Sequence, residues 1–551
     1  MDKEVQQALA RNKAHGKMEE RAMRKIMNIF AAALVMLAAA SCEKNETLPD
    51  NNSEGKVVTL KASINNGETK VSLDEKSGET YPVLWSEGDE IAVAQFVGSD
   101  IRVYKFTLTA GKGTQNGTFT CDDAEGFVDP SLKATNAVYP YTAQFDFLVV
   151  QTNQNYAEKS FDSDAILMEA FMEEGSLKFN NILGILKLTI KGASDETVSS
   201  IELTANKPIS GNAQFNDKTF IVTEGPYADY KNNIVLNCPN VAIDTEKEFL
   251  ITVPAGTYDF AVTINTNKGT YYKSTTNKSI KESVILNMLP LDLTDFENSM
   301  PYVENGVYLG EGIELPAGEG KTIIWAPVNC GYEPVDGSYK GYPYGKLYQW
   351  GRKYGQGYKD GNYEDATYPS GDNWVTTGSV EMSAGQSAEN KDKFFCKWLE
   401  TPPANNLWNK GTEEIPAKTE YDPCPEGWRV PTETEFFTLV NSVDYSSILN
   451  ILLEQVDLDN KGIWFYGKTT ETTGSKVFFP FAGLVARPES LDQDYTMVYR
   501  GERGRYWASS DLSSTGGIAL EMSESRAVEY RIVSTNYEPC SDGYSVRCVK
   551  E

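Results

Sequence analysis

Short runs of alternating apolar and polar residues, separated by turn dipeptides, occupy the chain from residue 57 to about residue 296. Residues 57–64 are typical of the first group, and a second group begins at Leu177. Because successive side chains of a strand point to opposite faces, this pattern predicts antiparallel sheets that bury one face. We therefore predict β-sandwiches, divided near residue 175, where residues 173–175 break the alternation.

The sequence changes character after residue 295. Residues 303–551 are richer in Trp and Tyr and contain five of the eight cysteines. They also contain the one convincing helix signal, in which Thr432 and, three residues later, Glu435 form a capping box. Phe436, Leu439 and Val440 then share one face of the predicted helix. A chain of 551 residues is too long for one core, so we expect several domains.

Charge and histidine content exclude several classes of function. The net charge of −27 repels nucleic acid and anionic membrane surfaces. The single histidine, His15, precedes a predicted export cleavage site. A mature chain without imidazole has no Ser-His-Asp triad and no His-ligated metal site. We therefore expect a binding protein rather than an enzyme.

The N-terminus has the pattern of an export signal. Arg24 and Lys25 precede an apolar run over residues 26–40, which is too short to span a bilayer comfortably. Small residues before Cys42 resemble a bacterial lipobox, which implies cleavage before Cys42 and its lipidation. A plain signal peptide is the alternative. We assign residues 1–41 to the signal peptide, with a foreign charged prefix over residues 1–22, and residues 42–56 to a polar tether.

Several motifs resemble Bacteroidales fimbrillin-type proteins of the Mfa-like and FimA superfamily. They are Trp-Ser-Glu-Gly-Asp-Glu-Ile at 85–91, Tyr-Pro-Tyr at 139–141, Leu-Lys-Phe at 177–179 and Val-Pro-Ala-Gly-Thr-Tyr at 253–258. The resemblance implies two transthyretin-like β-sandwiches, over residues 57–175 and 176–298. It also implies other fimbrial subunits as partners, bound by strand exchange. From the residues themselves, Trp85 is predicted to be a core side chain.

Residues 303–551 resemble the Fibrobacter succinogenes major paralogous domain. The resemblance rests on residues 422–432, 506–510 and 543–549, with residues 325–329 and 348–351 upstream. It implies an α+β, C-type lectin-like fold with a helix pair and a small sheet, in a protein that is mainly β overall. Such a fold identity does not by itself carry a function.

The same resemblance implies a disulfide between Cys424 and Cys548. The pairing of Cys330, Cys396 and Cys540 stays open, and Cys121 and Cys238 are expected to be unpaired core residues. No Cys-x-x-C motif occurs, which leaves thioredoxin-like and zinc-ribbon sites without support. We predict no metal site and no cofactor. Residues 457–468 start like an EF-hand loop but end in Lys468 where a bidentate Glu belongs.

An aromatic loop is the candidate ligand surface. Eleven Tyr or Trp residues lie between Tyr332 and Trp374. Rings can stack on sugar C–H faces while nearby acids and amides bind the hydroxyls. The alternative is that the rings pack a loop-rich domain, and we expect Tyr348 and Trp350 to be core. The candidate ligand-binding residues are Tyr354, Tyr358, Tyr363, Tyr368, Trp374, Asp360, Asn362, Asp372 and Asn373.

These observations favour a non-catalytic lipoprotein at the outer membrane and cell surface. The first hypothesis is a fimbrial tip or accessory adhesin that binds a glycan or protein ligand through its C-terminal domain. The alternative is a permanently anchored glycan-binding lipoprotein of a polysaccharide-uptake system. No Arg lies between Cys42 and Arg102, so removal of a first strand at an Arg is in doubt, and Lys56, Lys61 and Lys70 are the candidate basic cleavage sites.

Overall fold

The structure is a computed structural model. It describes residues 56–65, 83–97, 100–130, 135–145, 148–216, 219–222, 229–317, 321–332, 344–357, 374–375, 386–391, 394–395, 398, 406–442, 462–466, 475–486, 496–510, 517–523, 526–531 and 540–551. The predicted signal peptide and Cys42, the predicted lipidation site, lie outside the described residues, as does nearly all of the predicted tether.

The alternating runs at the start of the described chain form nine strands. They are β1 (Val58–Ile64), β2 (Glu90–Val97), β3 (Asp100–Ala110), β4 (Asn116–Cys121), β5 (Thr135–Tyr139), β6 (Leu148–Val150), β7 (Asn153–Asn155), β8 (Met168–Glu173) and β9 (Ser176–Asn181). Seven of them form a closed barrel in the order β1-β4-β3-β2-β5-β8-β9. Neighbouring strands of the barrel are antiparallel except β1 and β9, which are parallel. These seven strands therefore form one closed sheet, whereas the sequence predicted two sheets packed face to face.

Trp85 lies in the core of this barrel. The residue is 1% exposed, and its ring centroid lies 4.9 Å from that of Phe119 and 5.4 Å from that of Phe179. The indole Nε1–H donates to the carbonyl of Gln115 at 3.1 Å. The rings meet edge to face, which is a favoured geometry for aromatic pairs. The prediction that Trp85 is a core residue is confirmed.

The next eleven strands build three further sheets. They are β10 (Leu183–Lys191), β11 (Thr197–Ala205), β12 (Ser210–Asn216), β13 (Thr219–Val222), β14 (Tyr230–Lys231), β15 (Asn233–Ala242), β16 (Lys247–Pro254), β17 (Gly256–Thr266), β18 (Thr270–Ile280), β19 (Ile285–Asn287) and β20 (Leu291–Asp292). The largest has the order β18-β17-β11-β15-β7, and a second has β16-β10-β19 with β20 beside β10. The third has β13-β12-β14 with β6 beside β12.

Strand pairings cross the break in alternation near residue 175 in both directions. β9 follows the predicted division near residue 175, yet it pairs with β8 and β1 of the barrel. β6 and β7 precede that division, yet they pair with β12 and β15. The physical reason is that alternation shows which face of a strand is buried and carries no information about its partner. The barrel thus extends to Asn181, and the segment before β8 supplies two strands to the following sheets.

Eighteen shorter strands and one α-helix follow in the described part of the chain. The strands are β21 (Pro301–Glu304), β22 (Val307–Glu311), β23 (Ile313–Pro316), β24 (Thr322–Trp325), β25 (Lys346–Gln349), β26 (Gln356–Gly357), β27 (Trp374–Val375), β28 (Phe394–Phe395), β29 (Trp428–Arg429), β30 (Gly462–Tyr466), β31 (Lys476–Pro480), β32 (Leu484–Ala486), β33 (Thr496–Val498), β34 (Arg503–Trp507), β35 (Ala519–Ser523), β36 (Arg526–Arg531), β37 (Gly543–Ser545) and β38 (Val549–Lys550). Short 3-10 helices cover Ser163–Ala165, Leu293–Asp295 and Ala388–Asn390.

The α-helix α1 (Glu433–Ser442) begins where the sequence predicts. The backbone N–H of Glu435 donates to Thr432 Oγ1 at 3.3 Å, and the N–H of Thr432 donates to Glu435 Oε2 at 2.8 Å. These reciprocal bonds are a capping box. Phe436 and Leu439 are buried. The capping box is confirmed, while the helix pair implied by the resemblance has one member among the residues that the structure describes. None of the helices described has the length and hydrophobicity needed to cross a membrane.

Tryptophan rings and one arginine hold the C-terminal strands together. Trp350 and Trp507 are buried, and their Nε1–H groups donate to the carbonyls of Ala508 and Tyr348. The buried Arg547 guanidinium donates to Asn329 Oδ1 at 2.6 and 2.8 Å and to the carbonyls of Ala326 and Phe478. Large apolar rings bury area while their polar atoms bond to groups distant in the chain, which joins strands that are each only two to six residues long.

Candidate functional site

The strand β1 lies at the seam where the barrel closes. Its residues 58–63 pair with β4, whereas only residues 61–64 pair with β9. Leu60, Ala62 and Ile64 point into the core, as the alternation requires. The N–H of Asn65 donates to the carbonyl of Phe179 at 2.7 Å, which extends the seam by one bond. The first half of β1 therefore has a strand partner on one side only among the described residues.

A cavity lies beside the first half of β1, which pairs with β4 but not with β9. It measures about 730 Å³ and is lined by Val58, Leu60, Phe127, Met172 and Gly175, among others. The turn between β8 and β9 forms one of its walls. The Lys56 ammonium donates to the carbonyl of Phe127 at 2.5 Å at the point where the described chain begins. The N-terminal half of β1 thus lies beside open space.

The predicted ligand-binding residues are mostly outside the described part of the chain. Tyr354 is half-buried after Gly351, and the backbone of Trp374 lies in β27. The others, Tyr358, Tyr363, Tyr368, Asp360, Asn362, Asp372 and Asn373, lie outside the described residues. Tyr348 and Trp350 are buried, as predicted. The ligand surface therefore stays a prediction.

A disulfide joins Cys424, which precedes β29, to Cys548, which precedes β38, and this is the pair that the resemblance implies. Cys121 and Cys238 are buried and outside any disulfide, and so are Cys330 and Cys540. Cys396 lies outside the described residues. The sulfur atom of Cys330 lies within 4.8 Å of both disulfide sulfurs.

The buried carboxylate of Glu304 lies beside Cys330. The Cys330 thiol donates to Glu304 Oε1 at 3.6 Å, and the Gly331 N–H donates to the same oxygen at 2.7 Å. The Tyr302 hydroxyl donates to Glu304 Oε2 at 2.9 Å. Burial raises the pKa of the Glu304 carboxyl, and burial likewise raises the pKa of the Cys330 thiol well above its usual range. Cys330 is therefore protonated at neutral pH and is a poor nucleophile.

A second buried carboxylate, Asp422, organises the loop before the disulfide. Its two oxygens accept the N–H groups of Cys424 at 2.8 Å and of Val430 at 2.9 Å. The Lys418 ammonium lies 3.8 Å from Asp422 Oδ1 and donates to carbonyls of the same loop. Burial raises the pKa of Asp422 from 3.8 to about 7, against the opposing effects of Lys418 and the two N–H donors.

We expect Asp422→Asn to lower the free energy of unfolding by about 1–3 kcal/mol. The reason is that the NH₂ group of the new side-chain amide would face one of the two backbone N–H donors and leave it without an acceptor. The pKa of Asp422 is higher in the fold than its ordinary value, so the parent chain loses stability as the pH rises from 4 through 7. The Asn variant has no ionisable group at position 422, so it lacks this contribution to the pH dependence. Thermal unfolding at pH 4, 6 and 8 should therefore show a parent–variant difference that narrows as the pH rises. A difference that widens would contradict the sign of this shift.

Sequence reasoning missed the cluster around Cys330. Glu304, Cys330, Cys424 and Cys548 lie far apart along the chain and form no motif of fixed spacing. The only signal present was the count of cysteines in residues 303–551, which is odd. Only the packing of β21, the 328–332 loop and the two ends of the disulfide brings them together.

Comparisons with known proteins give limited similarity. No family model matches the chain, and no curated protein matches it. Solved structures that match include a fimbrial protein from Bacteroides ovatus, at 11% identity and TM-score 0.21, covering 91% of this chain and 99% of that one. The tip fimbrial protein Mfa3 from Porphyromonas gingivalis matches at 10% identity and TM-score 0.24, covering 42% and 95%.

A candidate cell adhesion protein from Bacteroides uniformis also matches, at 18% identity and TM-score 0.29, covering 44% of this chain and 95% of that one. At these identities and scores the comparisons establish no family for this chain. The function proposed below therefore rests on this chain's own residues and strand pairings.

Proposed function

We propose that this protein is a non-catalytic adhesion protein of the cell surface, acting as a tip or accessory subunit of a fimbria. In this proposal residues 303–551 carry the ligand-binding surface. The two preceding predicted domains, residues 57–175 and 176–298, bind other fimbrial subunits. The ligand is a glycan or a surface protein, bound by the candidate residues of the aromatic loop that lie between Tyr354 and Trp374. The lipid anchor at Cys42 is part of the proposal.

The observation that carries the proposal is the position of β1. A strand that closes a barrel can be replaced by an equivalent strand from another chain, because the same backbone bonds re-form. β1 is suited to such replacement because, within the described part of the chain, its residues 58–60 pair on one side only and lie beside a cavity. Without β1, the edges of β4 and β9 would present unpaired N–H and C=O groups and an apolar groove.

We expect a chain that begins at residue 66 to bind a synthetic peptide of residues 56–65 with a stoichiometry of one. The peptide would restore the β4 and β9 pairings and bury Leu60 and Ile64 again. Fluorescence anisotropy of the labelled peptide measures the affinity. A matched peptide with Leu60→Asp and Ile64→Asp should bind about 100-fold more weakly or worse, because two buried apolar side chains are lost.

Equal binding of the two peptides, or binding of neither, would contradict an exchangeable β1. A truncated chain that folds only after the native peptide is added would support it, since the groove would then be completed in trans. Circular dichroism with and without peptide separates these outcomes.

One observation favours the second candidate, a permanently anchored glycan-binding lipoprotein. Lys61, a candidate cleavage site, lies within β1, paired with Thr118 and Ser176 on its two sides. A paired strand resists proteolysis, so β1 would stay in place. Intact mass and N-terminal peptide mapping of protein from its native cells distinguish the candidates. A start at acylated Cys42 favours the anchored protein, and a start beyond Lys61 favours the fimbrial subunit.

A further inference from the structure

We propose that Cys330, Cys424, Cys548 and Glu304 form a binding site for a thiophilic divalent metal ion such as Zn²⁺. The site forms when the disulfide between Cys424 and Cys548 is reduced. We call these four residues the Cys330 cluster. The inference does not depend on the adhesion role. It assigns a use to a buried thiol and a buried carboxylate that the proposed function leaves without one.

The spacing of the ligand atoms fits such an ion. The three sulfur atoms lie within 4.8 Å of one another, and Cys330 Sγ lies 3.6 Å from Glu304 Oε1. Zinc–sulfur bonds of about 2.3 Å at tetrahedral angles place neighbouring ligand atoms about 3.5–3.8 Å apart. The Cys330 sulfur and the Glu304 oxygen already have this separation. The disulfide sulfurs, 2.07 Å apart while bonded, would move apart after reduction.

The surroundings hold the ligands in place. The Tyr302 hydroxyl donates to Glu304 Oε2, so the other carboxylate oxygen faces Cys330. The Tyr348 hydroxyl donates to Cys330 Sγ at 3.3 Å, and the Tyr302 hydroxyl lies 3.6 Å from Cys548 Sγ. Hydrogen bonds of this kind orient metal ligands and strengthen binding. All four ligand residues are buried, at 8% exposure or less, which excludes water from competition.

The charge of the occupied site is compatible with its surroundings. Three thiolates and one carboxylate around a divalent ion carry a net charge of −2, as in structural Cys₄ zinc sites. Lys346 acts on Glu304 as a favourable charge, and the Lys418 ammonium lies against the Cys424–Trp428 loop, where it donates to the carbonyls of Pro425 and Trp428. Two lysine side chains thus already place positive charge near residues of the cluster or the loop that carries Cys424.

The site is formed in two steps, reduction of the disulfide and binding of the metal ion. A dithiol reductant gives two electrons and two protons to the Cys424–Cys548 bond, which breaks to two thiols while the dithiol becomes a disulfide. The metal ion then displaces three thiol protons to water and gains three sulfur ligands and the Glu304 carboxylate. Because the ligands come from four separate segments, the ion would crosslink the region that the disulfide had closed.

The test uses the full chain, reduced with a phosphine and titrated anaerobically with Cd²⁺. We expect one tightly bound Cd²⁺ per chain, seen by thiolate-to-cadmium charge-transfer absorption, and none at this affinity in the oxidised chain. Cys330→Ser should abolish the tight site. Cys540→Ser is the matched control, because Cys540 lies buried in the same hydrophobic cluster but outside the group of three sulfurs. Tyr348→Phe should weaken binding roughly 10–100-fold.

Absorption that survives Cys330→Ser, or that is lost equally in Cys540→Ser, would overturn the proposal. A reduced chain that loses its near-ultraviolet circular dichroism and recovers it on adding one equivalent of Cd²⁺ would support it, since binding and folding would be coupled. A reduced chain that unfolds and stays unfolded with Cd²⁺ would overturn it.

Discussion

Replacing Cys424 and Cys548 together with alanine is expected to lower the free energy of unfolding of the C-terminal region by about 5 kcal/mol. The bond closes a loop with a sequence separation of 124, and in the chain-entropy model such a crosslink removes about that much freedom from the unfolded chain. The double replacement is required because Cys330 lies within 4.8 Å of both sulfurs and could form a substitute disulfide with either one.

Urea unfolding followed by tryptophan fluorescence measures this loss, since eight of the nine tryptophans lie in residues 303–551. Cys540→Ala is the matched control, because it removes a buried sulfur that forms no disulfide and should cost only about 1 kcal/mol. If the double variant unfolded at the same urea concentration as this control, the disulfide would contribute little and the loop would be closed by packing alone.

Trp85→Ala is expected to cost about 3–5 kcal/mol of barrel stability, the usual range for removing a large aromatic side chain from a core. The ring packs edge to face against Phe119 of β4, Phe179 of β9 and Tyr139 of β5. β4 and β9 are the two strands that flank β1, so the cavity left by the ring would loosen the seam. Differential scanning calorimetry measures the loss of stability.

The same variant should be cleaved faster at Lys61 by a lysine-specific protease, because opening of the seam exposes β1. Trp85→Phe is the matched control, since it keeps an aromatic ring in the core and loses mainly the hydrogen bond to the Gln115 carbonyl. Its effect should be clearly smaller. Equal cleavage rates in Trp85→Ala and the parent would show that Trp85 does not hold the seam closed.

Local patterns predicted local structure well. The capping box of Thr432 and Glu435 placed the start of α1, because all its bonds lie within four residues. The alternation predicted the inward faces of β1, and the large apolar ring of Trp85 predicted its burial in the core. These features depend on residues that are close together in the chain, so a short stretch of sequence is enough to predict them.

The partner of each strand could not be predicted in the same way. β9 belongs to the barrel although a break in the alternation separates it from β8, and β6 and β7 pair with strands that come later in the chain. Alternation is compatible with any partner strand that offers an apolar face, so partner choice is decided by how all the sheets pack together. The boundaries of the predicted domains at residues 175 and 298 stay predictions.

The sequence by itself determined a mainly β chain, the helix α1 and an acidic composition, because periodicity, capping residues and charge are properties of short segments or of totals. It determined which cysteines exist, and its resemblance to a lectin-like domain named the pair that is joined. Only the tertiary structure decided that β1 closes a barrel between β4 and β9, and that Cys330 and Glu304 lie beside the disulfide. Contacts between residues far apart in the chain arise from the packing of whole sheets, and no local pattern encodes them.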